Sequence, residues 1–212
     1  MMPRISRRDW LQAGLSGALW GQCAMLWSAP DRQAGANPVG SGGGSRDTAF
    51  ERGDAVPNFY VRAVTGPLQG KSVCYVCRNG DRPVVMIIAR KIIPRLGELL
   101  HDVDQQIDAH RADGLRGFGV FIGPDSRKLL PQVQTLAFEN KLNLPLTLAA
   151  APAEGPAVRG LSDTAAVAVV LYRNQRVCET FHFADEPIDE TLGRAVVEAV
   201  QALAEGRSNS PG

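Results

Sequence analysis

The sequence predicts an α/β fold in which helices flank a central mixed β-sheet, with an extra β-hairpin at its N-terminal end. Three observations carry that prediction. Val84 to Ala89 is an apolar run without alternation, as in a strand buried on both faces. Behind it Leu96, Leu99, Leu100, Val103 and Ile107 recur at helical spacing and form one apolar stripe. Beyond them, strand-like and helix-like stretches alternate before a closing pair of strands, the pattern of a sheet covered on both faces.

In chain order, Asn58 to Val64 reads as a strand and Gly66-Pro67-Leu68-Gln69-Gly70 as a turn. Lys71 to Val76 reads as a second short strand carrying Cys74, and Asn79-Gly80 is a two-residue hairpin signal. Pro83 lacks an N–H and suits a strand start or an edge before Val84 to Ala89. Pro94 suits the first turn of the striped helix, and Gly114 stops it. Gly117 to Ile122 is the next strand, Pro131 to Lys141 the next helix, and Leu144 to Ala149 a further strand. A loop rich in Ala, Pro and Gly leads to Ala165. Ala166 to Tyr172 and Arg176 to Phe183 form a hairpin around Asn174-Gln175. Pro187 opens a last helix, with Leu192, Val196, Val197, Val200 and Leu203 on its inner face.

The chain has 212 residues, 44% hydrophobic and 21% charged, with a net charge of +1. These are globular proportions for one folded domain, and the charge argues against nucleic acid or an anionic membrane as the main partner. The first 36 residues read as an export signal. Ser6-Arg7-Arg8-Asp9-Trp10-Leu11 resembles the twin-arginine motif, and the weakly apolar stretch to Trp27 is too short and too interrupted for a spanning helix. Trp10, Trp20, Trp27 and Cys23 fall inside this signal. Residues 37–53, centred on Ser41-Gly42-Gly43-Gly44-Ser45, read as a flexible tether; residues 54–206 read as the domain and 207–212 as a tail. Export places the protein in the periplasm or cell envelope, an oxidising compartment in which unpaired thiols are unusual.

The domain resembles the thioredoxin-like superfamily, in particular its redoxin branch. Val56-Pro57-Asn58-Phe59 is similar to the entry into the first redoxin strand, Val84 to Ala89 to the first core strand, and Ala166 to Val177 to the C-terminal hairpin. The resemblance implies a thioredoxin-like fold and thiol–disulfide chemistry with protein thiols or disulfides as partners, and no cofactor. Two departures accompany it. Arg90-Lys91-Ile92-Ile93-Pro94-Arg95 has no cysteine where the family keeps its nucleophile, and Asp163-Thr164-Ala165-Ala166 has no proline where the family has a cis-proline. The peroxidase motif of peroxiredoxins is also missing after the core strand.

The candidate catalytic residues are Cys74 and Cys77, a CxxC placed before the core strand instead of after it. Two such thiols can exchange electrons with a partner, close a structural disulfide in a non-catalytic module that binds a protein partner, or share a metal. On an extended strand they would point to opposite faces about 10 Å apart, beyond the roughly 7 Å that a disulfide tolerates. The chain must therefore turn at Tyr75-Val76 if they are to pair. Lys71, Arg78 and Arg82 stand near them in sequence and would favour a thiolate. A zinc site would add Cys178 and His182 as a Cys₃His set, although these two residues lie about 13 Å apart along one strand. Cys178, Thr180 and His182 are expected on one face of that strand, with Val177, Phe181 and Phe183 on the other. His101, His110, Asp102, Asp104 and Asp108 are expected on the solvated surface of the striped helix.

Overall fold

The computed structural model describes residues 49–149, 160–162 and 164–206. The residues read as an export signal, most of those read as tether and those read as tail lie outside the described residues. Among the described residues seven strands form one sheet: β1 (Val61–Ala63), β2 (Ser72–Val73), β3 (Val84–Ala89), β4 (Arg116–Phe121), β5 (Leu146–Ala149), β6 (Val167–Arg173) and β7 (Arg176–Phe183). The helices among the described residues are α1 (Tyr75–Asn79), α2 (Leu96–Ala109), α3 (Ser126–Glu139) and α4 (Glu190–Ala204). The strand order is β2-β1-β5-β4-β3-β6-β7. β3, β4 and β5 run parallel, and the remaining pairs are antiparallel.

The unalternating run of β3 is explained by its place between β4 and β6. Val85, Ile87 and Ala89 enter one apolar cluster, and Val84, Met86 and Ile88 enter the other. The first cluster also takes the buried residues of α2, α3 and α4. The crossovers β3 to β4 and β4 to β5 run in the same direction across the sheet, and α2 and α3 pack on one face of it. The second face is covered by α1, through Tyr75 and Val76, and by the N-terminal segment, through Phe50, Val56 and Phe59. Packed structure thus reaches back into the last residues read as tether. A Cβ on Gly160 would stand 3.3 Å from the Phe50 ring and 2.2 Å from Ile88 Cδ1, so a side chain there would have to displace the end of Ile88.

Local chemistry accounts for where the elements begin and end. The β6–β7 turn sets Asn174 at φ 52° and Gln175 at φ 56°, the left-handed pair that a two-residue hairpin demands. α3 starts five residues before the expected Pro131, because Asp125 accepts from the Arg127 and Lys128 N–H groups and caps it there. The helix then runs through the proline. α4 begins at Glu190, not at Pro187, capped by Asp189 through the N–H groups of Thr191 and Leu192. The Asn79-Gly80 pair makes no hairpin. It ends α1, and Gly80, at φ 56°, sends the chain towards Pro83.

Candidate functional site

The strand expected over Lys71 to Val76 is cut short, which reshapes the CxxC. β2 ends at Val73, and Cys74, still extended at φ −95° and ψ 98°, is the N-cap of the single-turn helix α1. Cys77 N–H donates to Cys74 Sγ at 3.1 Å, and Arg78 N–H donates to the Cys74 carbonyl at 3.1 Å. This turn draws the two Cα atoms to 5.3 Å, and Cys74 and Cys77 are joined as a disulfide. The helix folds here because it has something to bury. Val76 is fully buried, and Tyr75 stacks on Phe118 of β4 with ring centroids 5.0 Å apart. Burial pushes the Tyr75 phenol up, partly countered by the Arg78 guanidinium. Its hydroxyl is buried and finds no hydrogen-bond partner among the described residues.

The two sulfur-bearing residues are unequal. Cys74 is 6% exposed and belongs to the second apolar cluster, whereas Cys77 is exposed beside the exposed Arg78. Val73 is opposite Val61, which is opposite Ala149, so Cys74 leaves the sheet at the edge where the parallel strands have their carboxyl ends. β2 is nevertheless four strands across from β3, about 19 Å at the usual strand spacing.

The corner after β3 is filled differently. Arg90 N–H donates to the Ala166 carbonyl at 2.8 Å, and its guanidinium Nη1 reaches the carbonyls of Ser162 at 3.0 Å and Ala165 at 3.5 Å. Arg95 precedes α2 at φ 66° without a side-chain cap, and donates to Glu98 Oε2 at 2.9 Å and the Ile188 carbonyl at 3.1 Å. Of the segment lacking the proline, Thr164 is exposed while Ala165 and Ala166 are buried; Asp163 lies outside the described residues.

The zinc alternative is overturned by placement. Cys178 and His182 lie on β7, the opposite edge of the sheet from β2, and Cys74 and Cys77 are bonded to each other. No cluster of three or more potential metal ligands occurs among the described residues. The expected faces of β7 also need correction. A register shift sets Leu171 opposite Glu179 but Tyr172 opposite Val177, leaving Cys178 as an extra residue. Val177 therefore joins the second cluster, while Cys178 packs with Phe181 against the first. His182 is half-buried, and desolvation lowers its pKa.

Asp104 is the residue whose place the sequence reading missed. It is 4% exposed, not solvated, and its Oδ2 accepts the Asn143 N–H at 2.6 Å. Burial raises its pKa against the opposing hydrogen bond from Asn143. His101 is likewise tied down, with Nδ1 3.0 Å from the Asn140 carbonyl and Nε2 2.9 Å from Gln105. A clue was available in the position of Asp104 beside Val103, at the border of the apolar stripe.

No protein-family model matches the sequence, and no curated protein matches it in sequence. Solved structures do resemble it. A secreted thiol-disulfide isomerase from Corynebacterium glutamicum aligns at TM-score 0.53 and 11% identity, over 78% of this chain and 95% of that one. Peroxidoxin BcpB from Mycobacterium tuberculosis aligns at TM-score 0.54 and 14% identity, over 74% and 97%. A secreted disulfide oxidoreductase from Mycobacterium tuberculosis, homologous to DsbE of E. coli, aligns at TM-score 0.50 and 11% identity, over 70% and 95%. At these identities the likeness establishes the fold, which is thioredoxin-like with a mixed sheet and flanking helices.

Proposed function

We propose that the protein is an exported thiol–disulfide exchange protein, and that Cys74 and Cys77 are its redox pair. The observation that carries this reading is the closed Cys74–Cys77 disulfide in a surface turn, with one of its residues exposed to an approaching thiol. In the exchange, a partner dithiol is oxidised to a disulfide as Cys74–Cys77 is reduced to two thiols, or the reverse. Both directions balance without a further oxidant or reductant. The fold is shared with secreted exchange proteins. The twin-arginine-like Ser6 to Leu11 and the Gly/Ser-rich stretch behind it favour delivery of the domain across a membrane. No helix among the described residues is long and apolar enough to cross one.

The competing role is that of a structural staple, and its energetic return is small. Closing a loop of four residues restricts the unfolded chain by only about 2 kcal/mol, the low end for disulfides. The deciding test is thiol trapping by intact mass on the purified protein, equilibrated across glutathione redox buffers. A reversible two-electron step at Cys74 and Cys77 between about −120 and −270 mV is the expected result. A pair still oxidised below about −300 mV would make the disulfide structural and remove the exchange reading.

A further inference from the structure

The pair has a direction. We infer that Cys77 is the sulfur that partners attack and bond to, and that Cys74, the first cysteine of the motif, is the leaving and resolving sulfur; this assignment rests on the exchange reading above. Thiol–disulfide exchange requires the attacking thiolate to approach one sulfur along the line of the S–S bond, so access decides which sulfur it meets. Cys74 is 6% exposed and packed into the apolar cluster with Val73, Tyr75 and Val76. Cys77 is exposed, one residue from the exposed Arg78. An incoming thiolate therefore reaches Cys77 Sγ and finds Cys74 Sγ covered.

The hydrogen bonding runs the same way. Cys77 N–H already donates to Cys74 Sγ at 3.1 Å. When the S–S bond breaks, that donor is in place for the negative charge arriving on Cys74, which makes Cys74 the better leaving group. The steps balance. A partner thiolate forms a bond to Cys77 Sγ, the Cys77–Cys74 bond breaks, and its electron pair leaves on Cys74. The partner's second thiolate then attacks its own sulfur in the mixed disulfide, and Cys77 departs as a thiolate. The net transfer is two electrons from the partner dithiol to the Cys74–Cys77 disulfide, and the two product thiolates take up protons from water. In the opposite direction Cys77 attacks the partner disulfide, and Cys74 resolves the mixed disulfide from within the turn. The exposed side chain next to Cys77 in the chain is the cationic Arg78, which draws the first thiolate to the same side.

The test uses the full-length oxidised protein and reduced glutathione as the probe. After a short incubation, acid quenching, alkylation and peptide mass mapping report which cysteine carries glutathione and which carries the alkyl group. Cys23 and Cys178 are separated by their own peptides. Glutathione on Cys77 with alkylated Cys74 is the expected result, by about tenfold or more over the reverse isomer. Equal labelling, or glutathione mainly on Cys74, overturns the assignment while leaving exchange intact. A pair that forms no adduct and stays closed across the whole glutathione series overturns the exchange reading itself, and the assignment with it. Single-cysteine variants provide a second measurement. Cys77 in Cys74→Ser should form the mixed disulfide with oxidised glutathione about tenfold or more faster than Cys74 in Cys77→Ser. Far-UV circular dichroism shows that both variants are folded, and a faster Cys74 overturns the proposal.

Discussion

Two turns flank the central strand of this sheet, and they have been built for opposite ends. The turn before β3 carries a disulfide, one exposed sulfur-bearing residue and an exposed arginine. The turn after β3 occupies the corner where thioredoxin-like proteins hold their reactive cysteine, yet here a guanidinium binds the carbonyls of Ser162 and Ala165. In the first turn the chain keeps a group that can change its bonding. In the second the Arg90 guanidinium, a permanent cation, is held by backbone carbonyls. A fold does not carry its chemistry with it; the chemistry follows the side chains at a given corner.

That contrast can be broken most sharply at the disulfide. Replacing either Cys74 or Cys77 by Ser should abolish reversible two-electron titration in glutathione buffers, while costing no more than about 2 kcal/mol in urea unfolding. A loss well beyond that figure would move the bond from the redox column to the structural one. Beneath the pair, Tyr75→Ala should destabilise the domain by about 3–5 kcal/mol, because a buried ring stacked on Phe118 is removed. Tyr75→Phe keeps the stack and deletes a buried hydroxyl without a partner. It should leave stability unchanged or raise it, by up to about 1 kcal/mol, which a pair of urea curves would show.

At the other corner, Arg90→Ala should lower stability by about 1.5–3 kcal/mol through the lost charge-assisted bonds, without moving the glutathione midpoint of Cys74–Cys77. A shifted midpoint would show that the two turns are coupled. The smallest effect concerns Asp104, remote from both. Its folded-state pKa is raised, so the native state binds a proton more tightly than the unfolded chain does. Its contribution is therefore fully favourable below the ordinary carboxylate value of 3.8 and falls away as pH rises from there through the raised value. Asp104→Asn keeps an acceptor for the Asn143 N–H and should flatten stability against pH across that interval. An unchanged acid limb would assign the slope to other carboxylates.

Much of the architecture was legible because it depends on short-range pattern. The unalternating Val84 to Ala89, the stripe from Leu96 to Ile107 and the polar Asn174-Gln175 turn each state their own burial. The ends of elements were read less well wherever two signals competed. Pro131 looks like a helix start, but Asp125 offers the freed N–H groups a better partner six residues earlier. Asn79-Gly80 looks like a hairpin, but the residues before it bury Tyr75 and Val76 better as a helical turn. Cys178 was assigned to the wrong face because one extra residue in β7 reverses the alternation, and no residue type announces it.

The sequence by itself determined the sheet-and-helix plan, the absence of a thiol after the core strand, and the presence of two cysteines three residues apart before it. All of these follow from residue identity and from periodicities that local geometry enforces. Only the tertiary structure decided whether those cysteines meet. Read as a strand, Lys71 to Val76 would hold them about 10 Å apart; folded against Phe118, the same residues bring their Cα atoms to 5.3 Å. Tertiary structure also made the pair unequal, because burial is a property of what lies opposite. Cys74 faces the apolar cluster laid down by strands distant in sequence, and Cys77, three residues further on, faces solvent.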